Sequence, residues 1–339
     1  MIREAIQKVA DGGSLGRDEA ARVMGQIMDG EATAAQIAAL ITALRIKGET
    51  PEEIAGFATA MRARAETIRP RVPLVVDTCG TGGDGAGTFN ISTVAAFVVA
   101  GAGVHVAKHG NRAVSSRCGS ADLLEALGIR VDAAPARVAE AIEQIGIGFL
   151  FAPRFHPAMR HAVGPRREIG LRTVFNVLGP LTNPAHARRQ VVGVYASSLV
   201  GRIAEVLRAL QAEHALVVHG GGLDEISISG PSLAAEVRGD TIRTLVLSPD
   251  DADLPRYPPE AIRGGDASDN ADIAVRVLRG ERGPYRDVVV LNAAAALMVA
   301  GEAADLREGV ARAAEAIETG AAYGKLEALR AFLAPSVTA

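Results

Sequence analysis

The pattern of hydrophobic and polar positions divides the chain into two unequal parts. Through about residue 68, apolar positions recur at helical spacing. Ile2, Ile6 and Val9 open the series, "DGGSLG" interrupts it, and Ser14 and Asp18 are the expected start of a helix in "RDEAARVMGQIMDG". Thr33 is the expected cap of "TAAQIAALITALRIKG", with Gly48 as its stop. Thr50 before Pro51, with Glu52 and Glu53 in the first turn, predicts another helix start. The pattern predicts four short antiparallel helices in a small bundle.

After the prolines of "IRPRVPL" the period changes. "LVVD", "VHVA", "IGFLFA", "VVGVYA", "ALVVHG", "ISISG" and "VVVLNAA" are short β-rich runs, several separated by helical stretches. Such alternation predicts an α/β domain with a mostly parallel central sheet. The second of these runs, Val104 to Ala107, is expected to end at Lys108. "FHPAMRHAVGPRREIGLRTVFNVLGPLTNPA" breaks the alternation with helical pieces and proline turns, and is expected to cross back toward the bundle as part of a hinge. The expected domains are therefore 1–70, joined by helical pieces from about 155–190, and 71–339.

Composition narrows the function more than the fold. At 339 residues, 48% of them hydrophobic and none Trp, the chain suits helices packed around a buried sheet. A formal charge of −3 argues against a nucleic-acid binder that relies on a globally basic surface. Cys79 and Cys118 fit neither a zinc motif nor a disulfide framework, so free thiols in a reducing compartment are expected. The first residues lack the apolar stretch of a signal peptide, and no apolar run reaches membrane-spanning length. A cytoplasmic protein working without nucleic acid or membrane is expected.

The candidate chemistry begins at "VVDTCGTGGDGAGTFNIST". Gly80, Gly82 and Gly85 match the spacing of a dinucleotide fingerprint, but the helix is expected only near Ser92 and the next strand ends in a lysine where NAD would need an acid. What survives is anion binding: successive glycines let backbone N–H groups approach a phosphate, and Asn90, Ser92 and Thr93 stand at a helix start. The plainer alternative is a structural turn with a capping serine. In "VAKHGNRAVSSRCGS", Lys108 could meet one end of a polyphosphate while Ser115, Ser116 and Ser120 donate to another, and Asn111 suits an amine or carbonyl. The alternative there is a solvated loop. In "VVHGGGLDEISISG", the adjacent acids Asp224 and Glu225 suit Mg²⁺, which takes a few carboxylates plus phosphate oxygens, or they form an ordinary polar turn.

"GTGGDGAGTFNIST", "VAKHGNRAVSSRCGSADLLEALG", "RREIGLRTVFNVLGPLTNPA" and "HGGGLDEIS" together resemble the anthranilate phosphoribosyltransferase family, in that family's order and over nearly the whole chain. The resemblance implies a homodimer that transfers ribose 5-phosphate from phosphoribosyl pyrophosphate to the amino group of anthranilate. It implies that Gly80, Gly83, Asp84, Thr88, Asn90, Ile91, Ser92, Thr93, Lys108, Asn111, Ser115, Ser116 and Ser120 surround phosphoribosyl pyrophosphate. Ser92, Asp224 and Glu225 would hold Mg²⁺, with Lys108 and the two acids as the catalytic groups. Gly80, His109, Asn111, Arg166, Gly179 and Pro180 would receive anthranilate.

Two rivals remain open at this stage. A pyrimidine nucleoside phosphorylase shares the helical-plus-α/β plan and a lysine–serine loop, but would use inorganic phosphate without Mg²⁺, leaving the acid pair unexplained. A non-catalytic nucleic-acid-binding relative would keep the fold and lose the substrate loops, which here are intact.

Overall fold

The computed structural model describes residues 1–113 and 116–334. Four helices come first: α1 (Ile2–Ala10), α2 (Arg17–Met28), α3 (Ala34–Lys47) and α4 (Pro51–Ala63). The α/β part begins with β1 (Val76–Gly80), α5 (Ile91–Gly101), β2 (Val106–Gly110), α6 (Ser120–Ala126), α7 (Pro135–Ile145) and β3 (Ile147–Phe151). The short α8 (Ala152–Phe155), then α9 (Arg160–Ile169) and α10 (Phe175–Leu178), precede β4 (Arg189–Gly193), α11 (Leu199–Ala209) and β5 (His214–His219). A hairpin, β6 (Ser232–Arg238) and β7 (Thr241–Leu247), is followed by α12 (Ala267–Leu278), α13 (Pro284–Ala300), α14 (Leu306–Glu318) and α15 (Ala321–Leu333).

The bundle follows its caps. Thr33 and Thr50 accept from the backbone of Gln36 and Glu53, and the Gln36 and Glu53 side chains return the bond. Glu53 is fully buried, where it also accepts from the Leu15 N–H at 2.9 Å and the Lys47 ammonium at 2.9 Å. One expectation fails: α2 starts at Arg17 behind Gly16, because Ser14 Oγ is turned away to accept from Lys47 Nζ at 3.2 Å.

The sheet has seven strands in the order β3-β2-β1-β4-β5-β6-β7, parallel through β5 and antiparallel beyond it. Alternate residues of each central strand feed two cores, since successive side chains point to opposite faces. Val191, Leu216 and Val218 face α5, α7 and α12 to α15, whereas Val192, Val194 and Val217 face α11, the bundle, α9 and α10. α9 packs on α2 and α3, and α10 on α4.

Three strand expectations change. β2 begins later than expected and runs to Gly110, so Lys108 lies in the middle of the strand instead of at its end. "ISISG" is a turn, with the Ser227 N–H donating to Ser232 Oγ at 2.9 Å. "VVVLNAA" lies inside α13, which is buried around nearly its whole circumference and so reads as an unbroken apolar run. The β6–β7 hairpin was not foreseen, although Gly239-Asp240 between the strands is a turn signal.

Candidate active site

Strand order reverses between β1 and β4, and the crevice at the carboxyl ends of parallel strands is where such sheets bind ligands. The glycine loop leaves β1 here, and the turn carrying Asp224 and Glu225 leaves β5 two strands away. The two are joined directly. Asp224 Oδ2 accepts from the Gly82 N–H at 2.7 Å, and Glu225 Oε1 from the Ser92 N–H at 3.1 Å. This approach requires glycine at both strand ends. A Cβ on Gly80 would overlap the Asp224 carboxylate, and one on Gly193, its partner in the ladder, would overlap the Asp224 carbonyl.

His219 holds the acid turn from behind. Its Nδ1 lies 2.8 Å from the Val194 carbonyl, which can only accept, so Nδ1 carries the proton and Nε2 accepts from the Gly222 N–H at 3.2 Å. In the glycine loop, Asp84 accepts from the Ala86 and Asp224 N–H groups. The N–H groups of Gly83, Asp84 and Gly85 have no protein acceptor among the described residues. Successive free amides of this kind can serve as an anion receptor.

Lys108 is buried beneath this loop, its ammonium donating to the Thr78 carbonyl and reaching Ser92 Oγ at 3.5 Å. It is therefore no incidental surface cation. That reading does apply to Arg112, which is exposed and paired with Asp122 and Glu125. Asn90 fastens the two loops together, donating to the Cys118 carbonyl at 3.1 Å and accepting from Asn270 at 3.0 Å. The Asn111 N–H donates to Ser120 Oγ at 3.2 Å, and Ser116 Oγ donates to the Cys118 carbonyl. Thr88 bridges to Arg263 at the far side of the loop, while Ile91 and Thr93 are buried in the first turn of α5. Ser115 lies outside the described residues.

The acids are electrostatically loaded. Burial, then the charge of Asp84, pushes Asp224 up to about 7, and burial, then the charge of Asp224, pushes Glu225 up to about 8. Both residues are half-buried. A hard divalent cation would relieve this crowding of carboxylates, and Ser92, whose N–H meets Glu225, adds a hydroxyl; the donor set fits Mg²⁺.

The anthranilate candidates come from β1, β2, α9 and the turn after α10. His109, on β2, is held by its Nδ1 to the Gly179 carbonyl at 3.1 Å, which brings the Gly179–Pro180 turn against the strand. Arg166 of α9 lies over the Phe175 ring at 4.9 Å and has no ion-pair partner among the described residues. Burial holds it below the usual guanidinium range.

The sequence reading missed the support beneath these groups. Asp77 is fully buried, accepting from the His109 N–H at 3.1 Å and from Asn183 at 2.7 Å, and burial pushes it up to about 6. Asn183 also donates to the Ala107 carbonyl, tying the turn after α10 to β1 and β2. The signal available was an acid inside an apolar strand, "VVDT". A cavity of about 760 Å³ at the opposite ends of β4 and β5 is a weaker candidate, because its Arg189, Arg312 and Arg238 pair with Glu213, Glu302 and Glu236.

The two parts of the chain, helical bundle and α/β sheet, each match a glycosyl transferase family model. Residues 3–65 match the glycosyl transferase family helical bundle domain, and residues 72–323 the glycosyl transferase family a/b domain. The chain is 57% identical over 334 residues to anthranilate phosphoribosyltransferase of Moorella thermoacetica, covering 98% of each. It is 55% identical over 333 residues to that of Desulforudis audaxviator, covering 98% of this chain and 96% of the relative. The Thermus thermophilus anthranilate phosphoribosyltransferase structure superposes with a TM-score of 0.93 at 49% identity, covering 98% of this chain and 99% of that one. A Saccharomyces cerevisiae structure in complex with PRPP and Mg gives 0.91 at 28% identity, covering 98% and 97%. The chain belongs to the anthranilate phosphoribosyltransferase family.

Proposed function

We propose that this chain transfers the 5-phosphoribosyl group of phosphoribosyl pyrophosphate to the amino group of anthranilate, giving N-(5-phosphoribosyl)anthranilate and pyrophosphate in tryptophan biosynthesis. The observation that carries the reading is the acid pair. Asp224 and Glu225 reach the glycine loop and the start of α5 together, an arrangement a phosphate-only phosphorylase has no use for.

Ser92, Asp224 and Glu225 would hold Mg²⁺, which when bound supplies positive charge to the diphosphate leaving group. The free amides of Gly83, Asp84 and Gly85 and the ammonium of Lys108 would bind the phosphates and stabilise the charge that develops on them as the C1–oxygen bond breaks. Gly80, Thr88, Asn90, Ile91, Thr93, Ser116 and Ser120 would shape that pocket. Arg166 would pair with the anthranilate carboxylate, a planar match for its fork, while Asn111 and the Gly179–Pro180 turn orient the ring. Anthranilate's amine is neutral at pH 7, so positioning contributes more than proton abstraction before attack. His109, whose ring burial pushes down to about 3, orients and excludes water and is a weak base.

A homodimer built on the helical part is supported by Ile46 of α3 and Val163 of α9, which are exposed apolar residues on helices that pack together. No described helix is long and apolar enough to cross a membrane. The test is a fluorescence assay of anthranilate loss with phosphoribosyl pyrophosphate, with and without Mg²⁺. Turnover that requires both is expected; thymidine phosphorolysis without metal would replace this reading with the phosphorylase.

A further inference from the structure

We infer that Arg172 is a positioning residue for the phosphate loop: from the segment packed on the helical bundle, it sets the orientation of the Gly83–Asp84 peptide. The inference rests on the proposed binding of phosphates at that loop. Arg172 lies between α9 and α10, is exposed, and pairs with no carboxylate among the described residues. Its Nη2 donates instead to the Gly83 carbonyl, and its guanidinium stacks 4.8 Å from the Tyr195 ring centroid.

Both contacts lead to the same loop. The Tyr195 N–H donates to Thr81 Oγ1 at 3.1 Å, and the Thr81 N–H donates to the Gly193 carbonyl at 2.9 Å. The guanidinium is thus clamped between two points of a single structure. Every described peptide is trans, and in a planar trans peptide the carbonyl and the following N–H point in opposite directions. With the Gly83 carbonyl turned to Arg172, the Asp84 N–H must face the other way, and it is one of the amides that has no protein acceptor. The far side of Asp84 is held by its carboxylate, which accepts from the Ala86 and Asp224 N–H groups. Glycines on both sides of this residue leave the peptide free to rotate unless something fixes it. Arg172 supplies that restraint from the segment between α9 and α10, so the seating of that segment and the readiness of the phosphate loop are linked.

The experiment compares R172A, R172Q and R172K by calorimetric binding of phosphoribosyl pyrophosphate with Mg²⁺ and by steady-state kinetics. R172A is expected to weaken phosphoribosyl pyrophosphate about tenfold in both Kd and KM, the loss of one charged hydrogen bond. KM for anthranilate and the melting temperature should stay near wild type. R172Q retains a donor for the carbonyl without charge, and should recover most of the loss at about 0.5 M salt, where long-range attraction is screened. An R172A affinity within twofold of wild type overturns the inference. So does R172Q matching R172A while R172K matches wild type, since charge alone would then suffice. Hydrogen exchange of the wild-type loop separates the two levels: if the substrate fails to slow the amides of residues 82–88, the phosphate reading itself falls.

Discussion

The rings of His109 and His156 lie 5.2 Å apart, and the Nε2 atom of each is buried without a hydrogen-bond partner among the described residues. Burial, then the neighbouring ring, pushes His109 down to about 3, and burial pushes His156 down to about 4. Each group stays neutral in the folded protein at pH values where the unfolded chain would protonate it. Its contribution to stability is present above about 6.5 and is lost as pH falls toward the folded value, by up to about 1.4 kcal/mol per pH unit for each ring. Asp77, pushed up to about 6, works in the opposite sense: its contribution is greatest in acid and is lost as pH rises through that value. Replacing His156 with Gln removes one titration only. Urea denaturation should show H156Q gaining on wild type as pH falls from 6.5 to about 4, and a constant difference would refute the buried neutral ring.

The acid pair gives the opposite slope. Asp224 and Glu225 are raised to about 7 and about 8, so their protonated forms suit the folded protein and stability is lost as pH rises through those values. Without Mg²⁺, wild type should therefore melt lower at pH 9 than at pH 6 relative to a D224N/E225Q variant, which carries no such charge. Adding Mg²⁺ should raise the wild-type melting temperature at pH 9 and leave the variant unmoved. Turnover of the variant should fall at least about a hundredfold. A variant with unchanged metal dependence would remove both acids from the metal site.

The sequence was most informative where local chemistry decides structure. Thr33 and Thr50 cap their helices as read, because a hydroxyl three residues before a Gln or Glu satisfies orphan amides locally. The loops bearing Gly82 and Asp224 were also legible, as clusters of polar and glycine residues at the ends of apolar runs. What depends on tertiary burial was not. The "VVVLNAA" run is helical because α5, α14 and the sheet surround it, and nothing in its period says so. Lys108 reads as a loop cation but is a mid-strand side chain under Thr78, visible only once β2 is paired in register with β3. Asp77 and Asn183 stand 106 positions apart, and their 2.7 Å contact has no sequence signature.

Arg166 should set the affinity for the second substrate. Its half-buried guanidinium has an aromatic face beneath it and no acid beside it, so an incoming carboxylate would find an unpaired charge. R166A is expected to raise KM for anthranilate about tenfold to a hundredfold, corresponding to about 1.5–3 kcal/mol for a charged hydrogen-bonded pair, with KM for phosphoribosyl pyrophosphate little changed. R166K should recover only part, because an ammonium cannot offer the bidentate fork. The reverse pattern of KM changes would place Arg166 on the sugar diphosphate side.

Gly193 provides a test of geometry with no charge involved. It pairs with Gly80 across β1 and β4, and the Asp224 backbone packs directly on its Cα. A methyl group there cannot be accommodated by rotating a side chain, since the clashing atoms are the Asp224 carbonyl carbon and oxygen. The acid turn must shift away from the glycine loop, lengthening the 2.7 Å bond between Asp224 and Gly82. G193A should cost about 1–3 kcal/mol in stability as an overpacked core position. It should also raise the Mg²⁺ concentration needed for half-maximal rate by about tenfold or more, although no metal-binding atom has been removed. G201A is the control: a Cβ there meets no heavy atom within 4 Å, so both quantities should stay close to wild type. Normal metal dependence in G193A would mean that the acid pair does not need its close seat on the strand ends.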